Sequence, residues 1–293
     1  MFQYLLMVRH ALARDDLPRA RAEATSLPGI INLTLEHDVP VVEAALEDYR
    51  GLVQALWQDQ QIANALTRSP IDVHCSTKWR AYQSENVFRQ FMVEGNKGKV
   101  WLGRLNPAAE LDGRNYGFTW HRTLAGIEQQ FSEEYARFLQ EGEFDYRPRG
   151  GESWADKAAS VAPFLNRIFA KSRKHQIFIT HEEIIPLIET MLSRFPLTAQ
   201  NVKARRRRIN NATAVVYRRL YTPAEGAIRE WVGKWDPYRV FAPASQKDYS
   251  GEPDAAEWLS IASLPGQIVY LDNHLDDHAR EQVRERLRKR EAS

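Results

Sequence analysis

Three short segments of this chain carry residues suited to one chemistry: Arg9-His10, the stretch from Ser76 to Gln83, and His181. Each follows an apolar run. Tyr4-Leu5-Leu6-Met7-Val8 leads into Arg9-His10, Ile71-Asp72-Val73-His74-Cys75 into Ser76, and Ile177-Phe178-Ile179-Thr180 into His181. Continuous apolar runs of this length suit strands covered on both faces, as in parallel sheets. Ligands of open α/β sheets bind beyond the carboxyl ends of the strands. Two histidines and the arginines Arg9 and Arg80 therefore converge on one crevice. A neutral imidazole is a competent nucleophile, and neighbouring arginines keep it neutral by disfavouring the imidazolium. Guanidinium forks suit the dispersed charge of a transferring phosphoryl group. The combination points to phosphoryl chemistry with His10 as nucleophile.

The elements that must position these residues alternate along the chain. A loop over residues 13–38 follows the first strand. A helical pattern then starts near Pro40, with Val42, Ala45, Tyr49 and Val53 on one face. Further helices are expected over residues 80–94, 119–141 and 153–171, and again after His181, where Pro186 falls in a first turn. Val100-Trp101-Leu102 reads as a short strand, and residues 212–220 and 228–235 as two closing strands. Such alternation predicts a three-layer α/β/α sandwich with a mostly parallel central sheet. The catalytic domain is assigned to residues 1–240. From Phe241 the composition turns to Pro, Gly, Ser and Asp, so residues 241–293 read as a C-terminal extension. Its terminal charged helix, residues 279–290, either packs loosely or contacts a second subunit in a homodimer.

Composition narrows the classes. A net charge of +2 over 293 residues is nearly balanced, so no strong field points to nucleic acid or a membrane surface. Cys75 is the single cysteine, which excludes an intrachain disulfide and a cysteine metal cluster. The first apolar run is short, lacks a preceding basic segment and ends in Arg9-His10, unlike a signal peptide. No stretch approaches the ~20 apolar residues of a spanning helix. A cytoplasmic setting is the expectation.

Five ordered segments together resemble the histidine phosphatase superfamily, which includes the cofactor-dependent phosphoglycerate mutases. Leu6-Met7-Val8-Arg9-His10-Ala11 resembles its opening R-H-G, with Ala in the Gly position. Ser76-Thr77-Lys78-Trp79-Arg80-Ala81-Tyr82-Gln83-Ser84 resembles S-x-x-x-R-A-x-Q-T. Arg147-Pro148-Arg149-Gly150-Gly151-Glu152-Ser153 resembles R-P-x-G-G-E-S, Ile179-Thr180-His181 the second catalytic histidine, and Asn210-Asn211-Ala212-Thr213 the late N-x-[ST] strand entry. The resemblance implies a phosphoglycerate mutase-like α/β domain, a phosphohistidine intermediate, and neither metal nor cofactor. It assigns His10 as nucleophile, with Arg9, Arg80 and His181 on the transferring group. The Gly-Gly-Glu-Ser turn is read first as structural, since Glu and Ser favour the following helix N-terminus.

The proton donor departs from the family pattern. The usual glutamate lies in L-x-E-x-x-x-G, and Leu111-Asp112-Gly113-Arg114-Asn115-Tyr116-Gly117 places Gly113 there. Glu110 and Asp112 flank that position and are candidates to donate the proton and to face the substrate. His181 is followed by Glu182, similar to the His-Asp pair of the acid-phosphatase branch, and Glu182 is the favoured acid. The four arginines 205–208 read as a solvated loop in preference to a site for a multiply phosphorylated substrate. His74 is expected at a sheet edge, His121 and His175 without partners, and the His274/His278 spacing as noise. The expected activity is a metal-independent phosphomonoesterase acting on a small phosphorylated metabolite. A mutase-type phosphotransferase and a phospho-ligand-binding protein without turnover are the alternatives. A phosphohistidine on His10 separates the enzymes from the binder, and product analysis with a bisphosphorylated sugar acid separates the two enzymes.

Overall fold

The computed structural model describes residues 2–16, 36–120, 122–172, 174–193, 197–198, 200–202, 209–220 and 235–243. Its centre is a six-stranded sheet of β1 (Phe2–Arg9), β2 (Ile71–Cys75), β3 (Leu102–Pro107), β4 (His175–Thr180), β5 (Ala214–Leu220) and β6 (Asp236–Phe241). Their spatial order is β3-β2-β4-β1-β5-β6. β3, β2, β4 and β1 pair parallel, β5 runs antiparallel to β1, and β6 antiparallel to β5. Five of the six strands thus point the same way. The sheet is mostly parallel, as expected.

Helices cover both faces. Side chains alternate across a strand, so Leu5 and Met7 of β1 join Phe178 of β4 against α6 (Trp154–Lys171) and α7 (Ile184–Leu192). Tyr4, Leu6 and Val8, all buried, serve the opposite face. There lie α1 (Glu47–Gln58), α2 (Gln60–Arg68) and α3 (Trp79–Gly95). A 3-10 turn over Glu43–Leu46 leads into α1. Asp59 separates α1 from α2, its extended backbone ending one helix while its carboxylate accepts from Gln61 and Ile62 N–H to cap the next.

Several expectations shift. Residues 119–141 hold a break: Thr123 caps α4 (Leu124–Gln130), accepting from Gly126 N–H, and Phe131 leaves helical geometry before α5 (Ser132–Asp145). Within α5, Gly142 at φ +79° interrupts again, a conformation that glycine adopts without a Cβ penalty. The strand expected at residues 100–102 begins only at Leu102. It alternates with Gly103, Arg104 and Asn106, because it forms a sheet edge that need not be apolar throughout. His74 is not on an edge strand but buried in β2, edge-on to Phe164 and Phe178. His175 does have partners: Tyr4 N–H donates to its Nδ1 at 3.1 Å, and its Nε2 lies 3.1 Å from the Ala65 carbonyl.

Of the expected strand over residues 228–235, only Trp235 is described; the partner of β5 is β6. Phe241, where the extension was expected to start, ends β6 and pairs with Ala214. The arginine run 205–208, His121 and residues 244–293, with His274, His278 and the charged terminal helix, lie outside the described residues.

Candidate active site

Sheet register assembles the site. Arg9 of β1 pairs with Thr180 of β4, and Cys75 of β2 with Ile179, so the next residues leave the sheet side by side. His10 N–H donates to Thr180 O at 3.0 Å, and Ser76 N–H to Ile179 O at 2.9 Å. The His10 and His181 rings meet edge to face, with centroids 4.9 Å apart. Tyr49 from α1 donates to Arg9 O at 2.6 Å, and Ser84 from α3 accepts from Ala11 N–H at 2.8 Å. Asn211, from the late N-x-[ST] segment, donates its amide to His10 O at 3.1 Å. The first histidine is held by strand, helix and loop together.

Its tautomer follows from its partners. His10 Nδ1 lies 2.6 Å from the Ala11 carbonyl, which can only accept, so Nδ1 carries the hydrogen and Nε2 keeps the lone pair. Burial, followed by the Arg80 cation and then Arg9, lowers the His10 pKa to about 3 against an opposing pull from Asp16. Burial, with Arg80, His10, Lys78 and Lys157 behind it, likewise carries His181 well below the ordinary histidine range. Asp16 is itself raised by burial but lowered overall, chiefly by Arg9 and His10, and it accepts from Ala13 N–H at 2.8 Å.

Behind His181 stands a chain of hydrogen bonds. Ser76 Oγ donates to Asp112 Oδ1 at 2.7 Å and lies 2.7 Å from His181 Nε2. A hydroxyl has one hydrogen, and with it given to Asp112, Ser76 accepts from His181 Nε2–H. The Asp112 carboxylate also takes Thr77 N–H at 2.5 Å and Thr77 Oγ1 at 2.6 Å. Asp112 therefore sits behind the second histidine as its orienting group.

The remaining expected residues separate. Arg80 is buried with its cation acting on both histidines and on Asp16. Arg9 donates to Ile209 O and pairs with Glu182 at 2.8 Å. Glu110 is turned to α6, where Arg167 holds it at 3.1 Å. The Gly-Gly-Glu-Ser turn does structural work: Ser153 and Asp156 form a capping box on α6, and Glu152 accepts from Asn115 N–H at 2.8 Å. Gly117, at φ +52°, lets this turn approach so closely that a Cβ there would collide with Arg149 O. The turn thereby anchors residues 115–117. Sequence reasoning did not single out Lys78, Lys157, Asp16 or Glu183. Lys78 stands inside the Ser76–Arg80 segment, at a position the motif leaves open, and its 2 % exposure is the clue that its charge belongs to the site.

Among the described residues, no group of three or more His, Cys, Asp and Glu could hold a metal ion, and no helix is long and apolar enough to cross a membrane.

The chain matches the histidine phosphatase superfamily (branch 1) over residues 50–232 and belongs to that family. The matched span starts beyond β1, and the pairing of β1 with β4 brings Arg9-His10 into the same centre. Similar folds occur in mycobacterial hydrolase 1, at 15% identity and TM-score 0.55, covering 81% of this chain and 97% of that one. Mycobacterial hydrolase 2 is similar at 15% identity and TM-score 0.54, covering 80% and 89%. The alpha-ribazole phosphatase from Shigella flexneri is similar at 13% identity and TM-score 0.53, covering 73% and 90%. No curated protein matches the chain. Family membership defines a phosphatase-type enzyme whose chemistry is phosphoryl hydrolysis or transfer.

Proposed function

We propose that the protein is a metal-independent phosphomonoesterase that works through a phosphohistidine on His10 and acts on a small phosphorylated metabolite. The observation that carries this reading is the neutral, buried His10, whose Nδ1–H is committed to Ala11 O and whose Nε2 keeps its lone pair. Nε2 attacks phosphorus, the ester oxygen leaves, and water then releases phosphate from His10. Arg80 and Arg9 supply preorganised positive charge, which suits a transition state with charge spread over three equatorial oxygens. Burial, with the Arg80 and lysine cations behind it, keeps His181 neutral. A bound phosphoryl dianion reverses the local charge, so the ring gains its second proton and donates to the transferring group.

The deciding experiment is rapid quenching into alkaline detergent with a phosphoryl-labelled substrate such as p-nitrophenyl phosphate. An acid-labile, base-stable adduct is expected, absent in His10→Ala. Activity is expected to survive a chelator and to be inhibited by vanadate, which mimics the trigonal-bipyramidal phosphoryl group. Loss in chelator restored by zinc or magnesium would show that a cation supplies the charge instead.

A further inference from the structure

Gly113 stands where the family pattern has its proton-donating glutamate, and the structure shows what occupies the space. The Gly113 backbone is not in the left-handed region, so its conformation would accept a side chain. Contacts exclude one. A Cβ built there would lie 2.8 Å from Glu183 Oε1, 3.3 Å from His181 Cγ and 3.3 Å from Lys78 Nζ. Real Cβ contacts are almost never as short as the first. The Glu183 carboxylate, from the start of α7, occupies the slot beside the second histidine and a buried lysine.

It is also held there. Arg114 N–H donates to Glu183 Oε1 at 2.5 Å and Tyr116 OH to Oε2 at 2.9 Å. The Arg114 guanidinium lies over the Tyr116 and Trp154 rings, 5.1 and 5.2 Å from their centroids, which stiffens the tether. The other nearby acids are differently engaged: Glu182 with Arg9, Glu110 with Arg167, and Asp112 with Ser76 and Thr77 behind His181. Glu183 is only partly buried.

We propose that Glu183 is the carboxyl group that moves the proton in this active site. Resting on the reading of His10 as nucleophile, Glu183 binds the substrate in its carboxylic-acid form and gives that proton to the ester oxygen as the P–O bond breaks and the bond from His10 Nε2 to phosphorus forms. The resulting carboxylate then takes a proton from the water whose oxygen attacks phosphorus. The P–N bond breaks and its electron pair returns to the imidazole, leaving phosphate and the starting enzyme.

The test compares kcat/KM for β-glycerol phosphate, with an alkoxide leaving group, and p-nitrophenyl phosphate, whose phenolate needs little protonation. Glu183→Gln is expected to lose at least about 100-fold on the alkyl ester and less than about fivefold on the aryl ester. Because Gly113 is blocked only by neighbouring side chains, Glu183→Ala combined with Gly113→Glu is expected to regain at least about tenfold of the alkyl-ester rate over Glu183→Ala alone. Equal losses on both esters in Glu183→Gln, or a selective loss in Glu182→Gln alone, would overturn the assignment. Adduct trapping in the same preparations keeps the parent reading separate. Turnover by His10→Ala sinks the nucleophile, whereas an adduct on His10 with an unselective Glu183→Gln sinks only the proton donor.

Discussion

The site has two halves built on different supports. His10, Ser76 and His181 stand at strand ends, locked to one another by the β1–β4 and β2–β4 ladders. Residues 109–117, with Gly113 and the tether of Glu183, form a connecting segment outside the sheet ladders, tied down by individual hydrogen bonds such as Thr180 Oγ1 to Leu111 O at 2.6 Å, Thr119 Oγ1 to Tyr116 O at 2.6 Å and Asn115 N–H to Glu152. In the first half, moving a functional group means changing the register of a buried sheet. In the second, one carboxylate can take another's place while the backbone stays, because the atoms that crowd the Gly113 slot belong to side chains. Groups at strand ends keep their sequence positions; groups on the loop can be replaced from a different element.

This contrast is open to measurement. Its firmest claim is that the strand-end half holds the nucleophile, so His10→Ala should lower kcat by about 10⁴-fold or more while circular dichroism stays unchanged. Turnover within tenfold of the parent would break the comparison outright. Stability should divide in the same way. Phe178 is fully buried between Phe164, Phe169 and His74, and Phe178→Ala should cost about 3–5 kcal/mol in urea unfolding. Thr119→Ala, which deletes one loop hydrogen bond, should cost only about 1 kcal/mol. Comparable losses would mean the loop is as tightly bound into the core as the sheet.

Arg80→Lys keeps the charge but loses the planar fork, and kcat should fall about 100-fold with folding intact. Wild-type kinetics would remove Arg80 from the phosphoryl site. Asp112→Asn should cost about tenfold in kcat, the worth of one hydrogen bond to a charged group, with KM little changed, because Asp112 acts through Ser76 on His181. A rise in KM alone would place Asp112 on the substrate instead.

The smallest expected effect is an unchanged nitrogen signal. Burial and the Arg80 cation hold His10 down to about 3, so its Nε2 should show an unprotonated ¹⁵N shift at pH 5, where an ordinary histidine is charged. The same shift sets a sign for stability. The unfolded chain titrates at 6.5 and the folded one near 3, so the His10 contribution is intact above 6.5 and is lost as pH falls toward 3. The urea midpoint should drop between pH 7 and 5, less so in His10→Gln.

How far the sequence could be read follows the same division. Arg9-His10 and His181 were legible because an apolar run announces a buried strand and its end announces the site. The break at Phe131 was not, since the apolar periodicity runs through it and the interruption is a matter of backbone angles. β3 was misplaced because an edge strand mixes Leu102 and Leu105 with Gly103 and Arg104. Glu182 and Glu183 are adjacent acids after a histidine, and spacing alone cannot tell that one turns to Arg9 and the other to the Gly113 slot. The buried charges of Lys78 and Lys157 carry no local pattern at all. Their environment is made by segments distant in sequence.

The strand order β3-β2-β4-β1 also governs when the site can exist during synthesis. β1 and β2 are made within the first 75 residues, yet they never touch; β4, at residues 175–180, lies between them and pairs with both. A nascent chain that has not yet reached β4 holds Arg80 beside the β2–β3 pair and His10 on β1, both of whose partners, β4 and β5, are still to be made. Contacts of such long sequence separation form slowly and leave strand edges open to pairing with other chains. Catalytic competence thus arrives in one late step, when β4 is inserted and carries His181 to the place opposite His10.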